Sequence, residues 1–404
     1  MTRGWRPGAT AAPGTPAARG AGTLGGFHAT DDPAMPTAAP SPTEDMVFET
    51  LDTATPGRRI GVARLNRPGQ LNALNLAMCQ AMLDTFRAWA SDTSIACVML
   101  AGNGPKGFCA GGDVAEVIRQ VRGGTPQRFV YGDAFFEVEY QLDALIHRYP
   151  KPFVTWAHGV DMGGGVGLSV AGSERIVTEG LKLAMPEIHI GLFPDVGGGW
   201  FLNRVPGEAG LLLAMTGAIV NEADALHARL ADHAIAHARQ PAFLERLAGL
   251  DWSGPVAAQR ARLRTCCTAF AAEQPLALPD GALRRHHDAI RRIGMAPSAE
   301  AALEALREAA AAEPWFAKPL ENLANGSPTA ARVTFEYMRR CRLLGLEQVL
   351  ALDLVVARQC QRHADFPEGV RALLIDKSRD PKWSPATFDR VDDALVDGFF
   401  APLD

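Results

Sequence analysis

Two carboxylic acids and a run of glycines within residues 152–204 have the residue types and spacing that could do chemistry. An apolar, β-rich run is followed by the three glycines Gly163–Gly165, which open a segment of small residues. Such a junction leaves backbone N–H groups free at the start of a helix, where they stabilise developing negative charge. Glu187 and Asp195 follow, each beside a proline in otherwise apolar sequence. Amide donors for an oxyanion and carboxylates for proton transfer are what an acyl-transfer site needs.

A second glycine-rich loop, Phe108–Asp113, also leads the chain into a helix. Two separate groups of amide donors can hold a carbonyl oxygen between them, and losing one such donor costs about 3 kcal/mol of transition-state stabilisation in known cases. Each glycine pair alone also fits a left-handed turn that requires glycine for steric reasons. Neither cluster has the GxGxxG spacing after a strand with an acid about 20 residues on, which disfavours a dinucleotide site.

The elements around these motifs alternate between strand and helix patterns up to about residue 207. The predicted strands, of which the first two form a hairpin, are Val47–Leu51, Arg59–Leu65, Ile95–Leu100, Pro152–Trp156, Arg175–Thr178 and Leu181–Met185. The predicted helices among them are Leu74–Trp89, one from Asp113, and Phe135–Ile146. This alternation indicates an α/β fold with helices packed on sheets.

Helical patterns dominate after residue 207. They are Ala209–Met215, Glu222–Leu230, Phe243–Leu247, Val256–Glu273, Leu283–Ile293, Ala299–Ala310, Ala330–Leu344 and Leu346–Arg362. The sequence therefore predicts a core over residues 46–207 and a helical C-terminal region over 208–404.

Residues 1–45 form a Gly/Ala/Pro/Thr-rich tract without apolar periodicity, and we expect this tail to be disordered. Its start carries arginines and no acids, as organelle transit peptides do, but it has neither an amphipathic pattern nor a secretory apolar region. The interpretation that we favour is a plain tail or an over-extended start site, in which case Met46 is the alternative initiator. The expected location is the cytoplasm, or an organelle matrix if the tail is a transit peptide.

Composition argues against several other classes of protein. The chain has 404 residues, a formal net charge of −5 and no basic stripe, so we expect no nucleic-acid partner. It has no run of about 18 apolar residues, which a membrane span needs, so we expect no membrane association. The seven cysteines are scattered without a CxxC pair and are expected to be buried thiols, not disulfides or zinc ligands.

Other candidate chemistries have weaker support in the sequence. The spacing of His227, His233 and His237 is too loose for a metal site, and the adjacent pair His286-His287 cannot face one ligand on a helix. Ser169 does not stand in the GxSxG turn of serine hydrolases. We therefore expect no metal and no serine nucleophile.

Four segments together resemble the crotonase, or enoyl-CoA hydratase/isomerase, superfamily. They read LNRPGQLNALN (Leu65–Asn75), GFCAGGD (Gly107–Asp113), HGVDMGGGVGLSV (His158–Val170) and MPEIHIGLFPDVGGGWFLNR (Met185–Arg204). The FPDVGGG segment and the helical C-terminal region are most similar to the branch that hydrolyses 3-hydroxyisobutyryl-CoA. The resemblance implies a core of two roughly perpendicular sheets surrounded by helices, with the C-terminal helices covering the active site.

The resemblance also assigns roles to individual residues. Gly112 and Gly164 match the glycines whose amides form the oxyanion hole, and Glu187 matches an acid that hydratases and hydrolases both keep. Gly167 stands where hydratases carry a second glutamate, whereas Asp195 falls where hydratases typically have glycine. This exchange of one acid for another implies hydrolysis, not hydration.

The substrate-binding residues come from the same resemblance. Glu139 matches the glutamate that binds the substrate's hydroxyl group in the hydrolase branch. The residues that match the coenzyme A-binding loops are Asn66, Arg67, Leu71, Ala73, Ala110 and Asp113. The superfamily commonly forms trimers or hexamers, so the sequence leaves a homo-oligomer open.

The activity that the resemblance implies is hydrolysis of an acyl-CoA thioester without a cofactor. The specific substrate that the resemblance implies is 3-hydroxyisobutyryl-CoA, which would be cleaved to 3-hydroxyisobutyrate and coenzyme A in valine breakdown. An enoyl-CoA hydratase and a non-catalytic acyl-CoA-binding paralogue are the alternatives. Glu187 would either attack the thioester to form an anhydride or deprotonate a water that Asp195 orients. The two carboxylates should titrate as a coupled pair.

Overall fold

The computed structural model describes residues 43–403, which form two sheets surrounded by helices. The strands are β1 (Met46–Asp52), β2 (Arg59–Leu65), β3 (Ile95–Gly102), β4 (Gly107–Cys109), β5 (Phe153–Ala157), β6 (Val160–Met162), β7 (Glu174–Val177), β8 (Lys182–Ala184) and β9 (His233–Ala234). The predicted tail of residues 1–45 lies outside the described residues except for residues 43–45, and the alternative of a transit peptide lies outside them with it.

Helices make up most of the rest of the described chain. In the first half they are α1 (Leu76–Ser91), α2 (Val114–Arg122), α3 (Val130–His147), α4 (Gly164–Val170), α5 (Gly198–Phe201), α6 (Ala209–Thr216) and α7 (Glu222–His227). In the second half they are α8 (Gln240–Ala248), α9 (Val256–Glu273), α10 (Ala282–Arg285), α11 (His287–Gly294), α12 (Ala299–Ala312), α13 (Ala317–Asn325), α14 (Pro328–Cys341), α15 (Leu346–Arg362), α16 (Asp365–Val370) and α17 (Asp393–Gly398).

Shorter helical turns connect these elements. The 3₁₀ turns are Pro68–Gln70, Glu187–Ile190, Leu202–Arg204, Pro206–Glu208, His237–Arg239, Pro314–Phe316 and Phe388–Arg390, and a π-helical turn covers Arg371–Ile375. The helix predicted at Leu283–Ile293 is broken into α10 and α11 at His286. The sequence analysis missed α13, because its Pro319 resembles a helix breaker although proline is tolerated in a first helical turn.

The larger sheet has six strands in the order β1-β2-β3-β5-β7-β9. The predicted hairpin of β1 and β2 is present, with Met46 opposite Leu65, and the remaining strands pair in parallel. Leu100 of β3 packs on one face of the sheet, whereas Cys97 and Met99 pack on the other. Burial on both faces explains why β3 is a continuous apolar run and not an alternating one.

Helices α8 and α9 cover one face of this sheet. Phe243, Trp252 and Phe270 pack there against Trp156 and Ile176 in a separate hydrophobic core. The smaller sheet packs on the opposite face, in the main core. This part of the C-terminal region therefore lies across the larger sheet from the smaller one.

The smaller sheet contains β4, β6 and β8, which run parallel in that order. Strands β4 and β6 have three residues each, and the sequence analysis treated them as loops and turns. Each strand ends just before a glycine-rich or acidic segment that the sequence singled out. Because the carboxyl ends of parallel strands meet at one edge, these segments converge, and ligand sites in α/β sheets form at such edges.

The C-terminal helices α14 to α16 pack against elements that lie around this edge. Helix α15 packs along α3, and α16 packs on the 3₁₀ turn that begins at Glu187. Two sheets surrounded by helices, as predicted, are thereby confirmed. All seven cysteines are buried and unpaired, which also confirms a prediction. Within residues 43–403, none of the helices combines the length and apolar character that crossing a bilayer requires.

Candidate active site

A cavity of about 280 Å³ lies at the carboxyl ends of β4, β6 and β8. Its walls come from the loop after β4, from α3, from the start of α4 and from the segment after β8. The residues predicted to be catalytic or to bind the acyl group all line it, and they are Gly112, Glu139, Gly164, Glu187 and Asp195. Tertiary structure therefore brings together the two glycine clusters and all three acids.

Gly112 and Gly164 present free backbone amides to this cavity. Gly164 is the first residue of α4, where a helix leaves N–H groups without an intrahelical partner. Among the residues that the structure describes, neither amide donates a hydrogen bond. A Cβ atom built on Gly164 would lie 3.5 Å from the Gly112 nitrogen and 2.3 Å from Glu139 Oε1. The two amides thus face one small space that admits no side chain at position 164.

Glu187 begins the 3₁₀ turn after β8 and is 5% exposed. Its Oε2 atom has no hydrogen-bond partner among the described residues. Its Oε1 would lie 2.7 Å from a Cβ on Gly163, which adopts φ 53° and so favours glycine. Burial, and then the charge of Asp195, raise the pKa of Glu187 well above its usual range. A buried carboxyl with a raised pKa and an unpaired oxygen fits a base or nucleophile.

Asp195 lies in an irregular segment between that turn and α5, and it is 4% exposed. Its Oδ2 accepts a hydrogen bond from Tyr140 Oη at 2.6 Å. Burial raises the pKa of Asp195 to about 6, although the Tyr140 hydrogen bond opposes that rise. The carboxyl is therefore poised to change its charge near neutral pH.

Glu139 reaches the cavity from α3 and is 2% exposed. Its Oε1 has no hydrogen-bond partner within residues 43–403. Burial, and then the charge of Asp195, raise the pKa of Glu139 well above its ordinary value. A carboxyl oxygen without a partner, next to the two amides, can accept a hydrogen bond from a hydroxyl group of a ligand.

Gly167 faces the segment that carries Asp195. A Cβ built on Gly167 would lie 2.6 Å from Val196 Cβ and 3.2 Å from Asp143 Oδ1. Neighbouring residues thus fill the space beside Gly167. A side chain larger than that of glycine does not fit there without a rearrangement.

A sequence profile described as Enoyl-CoA hydratase/isomerase matches residues 60–400. The chain belongs to this family. A mitochondrial 3-hydroxyisobutyryl-CoA hydrolase of Xenopus tropicalis is 37% identical over 344 residues, 85% of this chain and 86% of that protein. The 3-hydroxyisobutyryl-CoA hydrolase 1 of Arabidopsis thaliana is 35% identical over 84% of this chain and 89% of its own length.

A solved structure extends the comparison with the enoyl-CoA hydratase/isomerase family. The carnitinyl-CoA dehydratase of Mycobacterium thermoresistibile has a TM-score of 0.76 and 34% identity, over 90% of this chain and 98% of its own. The family predicted from the four sequence segments is thereby confirmed. The names of these relatives describe different reactions, hydrolysis and dehydration. The reaction of this chain is therefore inferred from the side chains of its site.

The loop that the family resemblance associates with coenzyme A is held together internally. Of its six predicted residues, only Ala110 lines the cavity described above. The contacts that fix the loop are Arg67 Nη1 to Ala73 O (2.7 Å), Arg67 Nη2 to Asp113 Oδ2 (3.2 Å), Ala110 N to Leu71 O (2.9 Å) and Asn103 Nδ2 to Asn66 Oδ1 (3.0 Å). The Arg67 side chain therefore stabilises the conformation of this loop through its contacts with Ala73 and Asp113.

A larger cavity, of about 590 Å³, adjoins the first one. The residues that line both are Met162, Pro186, His189 and Leu373. Burial lowers the pKa of His189, which keeps this histidine neutral near pH 7. The sequence analysis did not detect this second space, because its wall combines the edge of the small sheet with α13 and the π-helical turn.

The sequence analysis also missed two polar residues around the family's acids. Tyr140 follows Glu139 directly, and nothing in the sequence indicates that its hydroxyl meets Asp195. Asp143 lies one helical turn after Glu139, a spacing that could have indicated a shared face. Both oxygens of Asp143 lack hydrogen-bond partners among the described residues, and burial raises its pKa.

One group of side chains could in principle hold a metal ion within the described chain. Glu174, His233 and Cys267 have ligand atoms within 4.8 Å of one another. None of the three lines the cavity of the carboxyls. Glu174 already binds His233 Nε2 at 2.9 Å and Arg264 Nε at 3.0 Å, which gives this carboxylate protein partners of its own.

Proposed function

We propose that this chain hydrolyses acyl-CoA thioesters, with 3-hydroxyisobutyryl-CoA as its substrate. The observation that carries this proposal is the meeting of three buried carboxyls and two free amides in one cavity. The curated relatives named as hydrolases support it. The reaction is proposed to need no cofactor, because the chain itself provides the oxyanion donors and a carboxylate that attacks the thioester or activates a water. A place in valine breakdown follows from the same substrate.

In the proposed reaction the thioester oxygen lies between the amides of Gly112 and Gly164. These donors stabilise the negative charge that develops on the oxygen during attack. Glu187 supplies the attack on the acyl carbon, either with its own oxygen or by deprotonating a water. The C–S bond then breaks, and the thiolate of coenzyme A takes up a proton. On the water route the acid is released in this step, whereas on the anhydride route a water molecule then cleaves the anhydride, which releases the acid and restores Glu187.

Asp195 and Glu139 have separate roles in this scheme. Asp195 orients the water and exchanges its proton, which its pKa of about 6 permits near neutral pH. Glu139 accepts a hydrogen bond from the 3-hydroxyl group of the substrate through its unpaired Oε1. Coenzyme A is proposed to lie against the loop of Arg67 and the segment Ala110–Asp113.

An enoyl-CoA hydratase fits the site less well. The hydratases of this family use a second glutamate, and the matching position here is Gly167. Val196 occupies the space beside that position, 2.6 Å from where a Cβ would be. Asp195, the second acid present here besides Glu187, lies on a different segment from position 167. It is placed to orient a water that attacks a carbonyl carbon.

The test measures release of free thiol from 3-hydroxyisobutyryl-CoA with a thiol reagent, and product formation from crotonyl-CoA in parallel. Because all seven cysteines are buried, the intact protein should contribute little to the thiol signal. We expect thiol release from the first substrate and no hydration of the second. Dominant hydration of crotonyl-CoA, or absence of hydrolysis at saturating substrate, would overturn the proposal.

A Glu187→Gln variant separates an enzyme from an acyl-CoA-binding protein. Loss of a general base typically costs a factor of about 10² to 10⁴ in rate. We expect a loss of that order in kcat while binding of a substrate analogue, measured by calorimetry, is retained. A binding protein would instead show no turnover in either form and equal affinity in both.

The two routes for Glu187 differ in where solvent oxygen goes. A single turnover in H₂¹⁸O places the label in Glu187 if an anhydride forms and water attacks the glutamyl carbon. It places the label only in the released acid if water attacks the thioester directly. Label found by mass spectrometry in the peptide that contains Glu187 therefore establishes the anhydride route. Label in the acid alone is the result of direct attack by water and also of an anhydride opened at its acyl carbon.

A further inference from the structure

Asp353 and Tyr337 form a buried polar pair that the reaction described above does not use. Asp353 lies on α15 and Tyr337 on α14, and both are 0% exposed. Tyr337 Oη donates a hydrogen bond to Asp353 Oδ1 at 2.5 Å. Within residues 43–403, Asp353 forms no salt bridge with a lysine, arginine or histidine. A buried carboxyl without a cation is costly, so its remaining contacts need an explanation.

Both residues of this pair bind the backbone that follows Asp195. Asp353 Oδ2 accepts a hydrogen bond from the Gly197 amide at 2.8 Å. Tyr337 Oη accepts one from the Gly199 amide at 2.8 Å. Two helices of the C-terminal region thus hold the segment two and four residues beyond the active-site acid.

This segment has a backbone conformation that needs support. Val196 adopts φ 49° and Gly197 adopts φ 82°, two consecutive residues in the left-handed region. That region is unfavourable for a β-branched residue, at a cost of roughly 1 to 3 kcal/mol, and it persists only where surrounding contacts hold it. The turn closes with a hydrogen bond from Gly198 N to Asp195 O at 2.6 Å. The direction of the Asp195 side chain therefore depends on contacts that fix this turn.

We propose that Asp353 and Tyr337 are positioning residues that hold Asp195 in its catalytic orientation. Neither residue lines the cavity, so they act through the backbone of Gly197 and Gly199 and not on the substrate. This inference rests on the catalytic role proposed for Asp195. It also gives the C-terminal helices a specific part in the reaction beyond covering the site.

The geometry explains why this pair is polar. The Asp353 carboxylate has two oxygens, and each receives one donor, from Gly197 and from Tyr337. The phenol serves as donor and acceptor at once, which links α15 to the Gly199 amide. An apolar pair of equal volume would leave two buried amides without acceptors, at about 1 to 3 kcal/mol each.

The test compares Tyr337→Phe with Tyr149→Phe. Tyr149 is also buried, and its hydroxyl donates to Phe86 O at 2.8 Å. Tyr149→Phe therefore removes one buried phenol hydrogen bond, whereas Tyr337→Phe removes the two that its hydroxyl forms with Asp353 and with the Gly199 amide. We expect Tyr337→Phe to lower kcat by about 10- to 100-fold, the scale of a small misplacement of a catalytic group, with a much smaller change in KM. Tyr149→Phe should lower the melting temperature only.

A second series tests the carboxylate. Asp353→Asn keeps an oxygen for the Gly197 amide, whereas Asp353→Ala removes it. We expect kcat to fall in the order wild type, Asp353→Asn, Asp353→Ala. A purely structural role would lower stability in both variants and leave kcat per folded molecule unchanged.

The pKa of Asp195, followed by ¹³C NMR of labelled aspartate carboxyls, gives a readout that does not require turnover. We expect it to shift in Tyr337→Phe and to remain unchanged in Tyr149→Phe, whatever reaction the site performs. An unchanged Asp195 pKa overturns the proposal, and so does an unchanged kcat in an enzyme whose wild type hydrolyses the thioester. Absence of turnover in the wild type, with a shifted Asp195 pKa, would instead contradict the proposed function alone.

Discussion

Tyr140 Oη donates a 2.6 Å hydrogen bond to Asp195 Oδ2, although the two residues are 55 positions apart. The bond joins α3 to the irregular segment before α5, and both side chains are buried. Glu139, the neighbour of Tyr140, faces the same cavity. One turn of α3 thus provides a group proposed to bind the substrate and a donor that stabilises the ionised form of Asp195.

Removing this hydrogen bond should change the pH dependence of the reaction. In Tyr140→Phe the Asp195 carboxylate loses a donor, so its pKa should rise from about 6. A hydrogen bond to a charged group contributes about 1.5 to 3 kcal/mol, or about one to two pKa units. If the carboxylate form is active, the acidic limb of kcat/KM should move to higher pH by that amount. Equal pH profiles in the variant and wild type would contradict a role for this bond.

Glu139→Gln should affect hydroxylated substrates selectively. The unpaired Oε1 of Glu139 is proposed to accept a hydrogen bond from the 3-hydroxyl group, and leaving a buried polar group without its partner costs about 1 to 3 kcal/mol. We expect kcat/KM for 3-hydroxyisobutyryl-CoA to fall about 10- to 100-fold. Isobutyryl-CoA, which lacks the hydroxyl group, is the matched control and should be affected much less. Equal losses for the two substrates would exclude hydroxyl recognition by Glu139.

Gly167→Ala should destabilise the protein, although alanine usually stabilises a helix relative to glycine by about 0.5 to 1 kcal/mol. The added Cβ would lie 2.6 Å from Val196 Cβ, and overpacking of this kind costs about 1 to 3 kcal/mol. Denaturant unfolding measures the change. Gly398→Ala is the control, because a Cβ there meets nothing within 4 Å. A Gly167→Ala/Val196→Ala double variant should recover part of the loss.

Asp195→Asn should be more stable than the wild type above about pH 6. The pKa of Asp195 is about 6 in the folded protein and 3.8 in the unfolded reference, so ionisation costs folding free energy as pH rises through this window. At one pKa unit per 1.36 kcal/mol, the difference should reach about 3 kcal/mol at pH 8 and vanish below about pH 4. Asp389→Asn, at an exposed aspartate, is the control substitution. If the difference in unfolding free energy between the variant and the wild type does not vary with pH, ionisation of Asp195 does not destabilise the folded protein.

Local sequence was sufficient for the elements that carry the site. The hairpin of β1 and β2, strand β3 and helices α9 and α15 follow from short-range patterns, because hydrophobic periodicity reflects which face of each element is buried. The glycine pairs and the Pro-flanked acids are also local signals. Their gathering in one cavity could be anticipated only through the family resemblance.

Contacts between distant segments could not be predicted from local sequence patterns. Asp353 binds the Gly197 amide across 156 positions, and nothing near Asp353 in the sequence distinguishes it from a solvated helical acid. The packing of α8 and α9 on the far face of the larger sheet was likewise hidden, because an amphipathic helix does not specify which surface it covers.

The sequence by itself determined which residue types are available at the site, including the missing glutamate at position 167 and the acid at position 195. Only the tertiary structure decided that Val196 fills the space beside Gly167 and that Tyr140 binds the Asp195 carboxyl. The same is true of the hydrogen bonds from the Gly197 and Gly199 amides to Asp353 and Tyr337. The reason is physical. A glycine or carboxylate is specified by the chemistry of its own position, whereas the orientation of a side chain is set by atoms that folding brings together from remote parts of the chain.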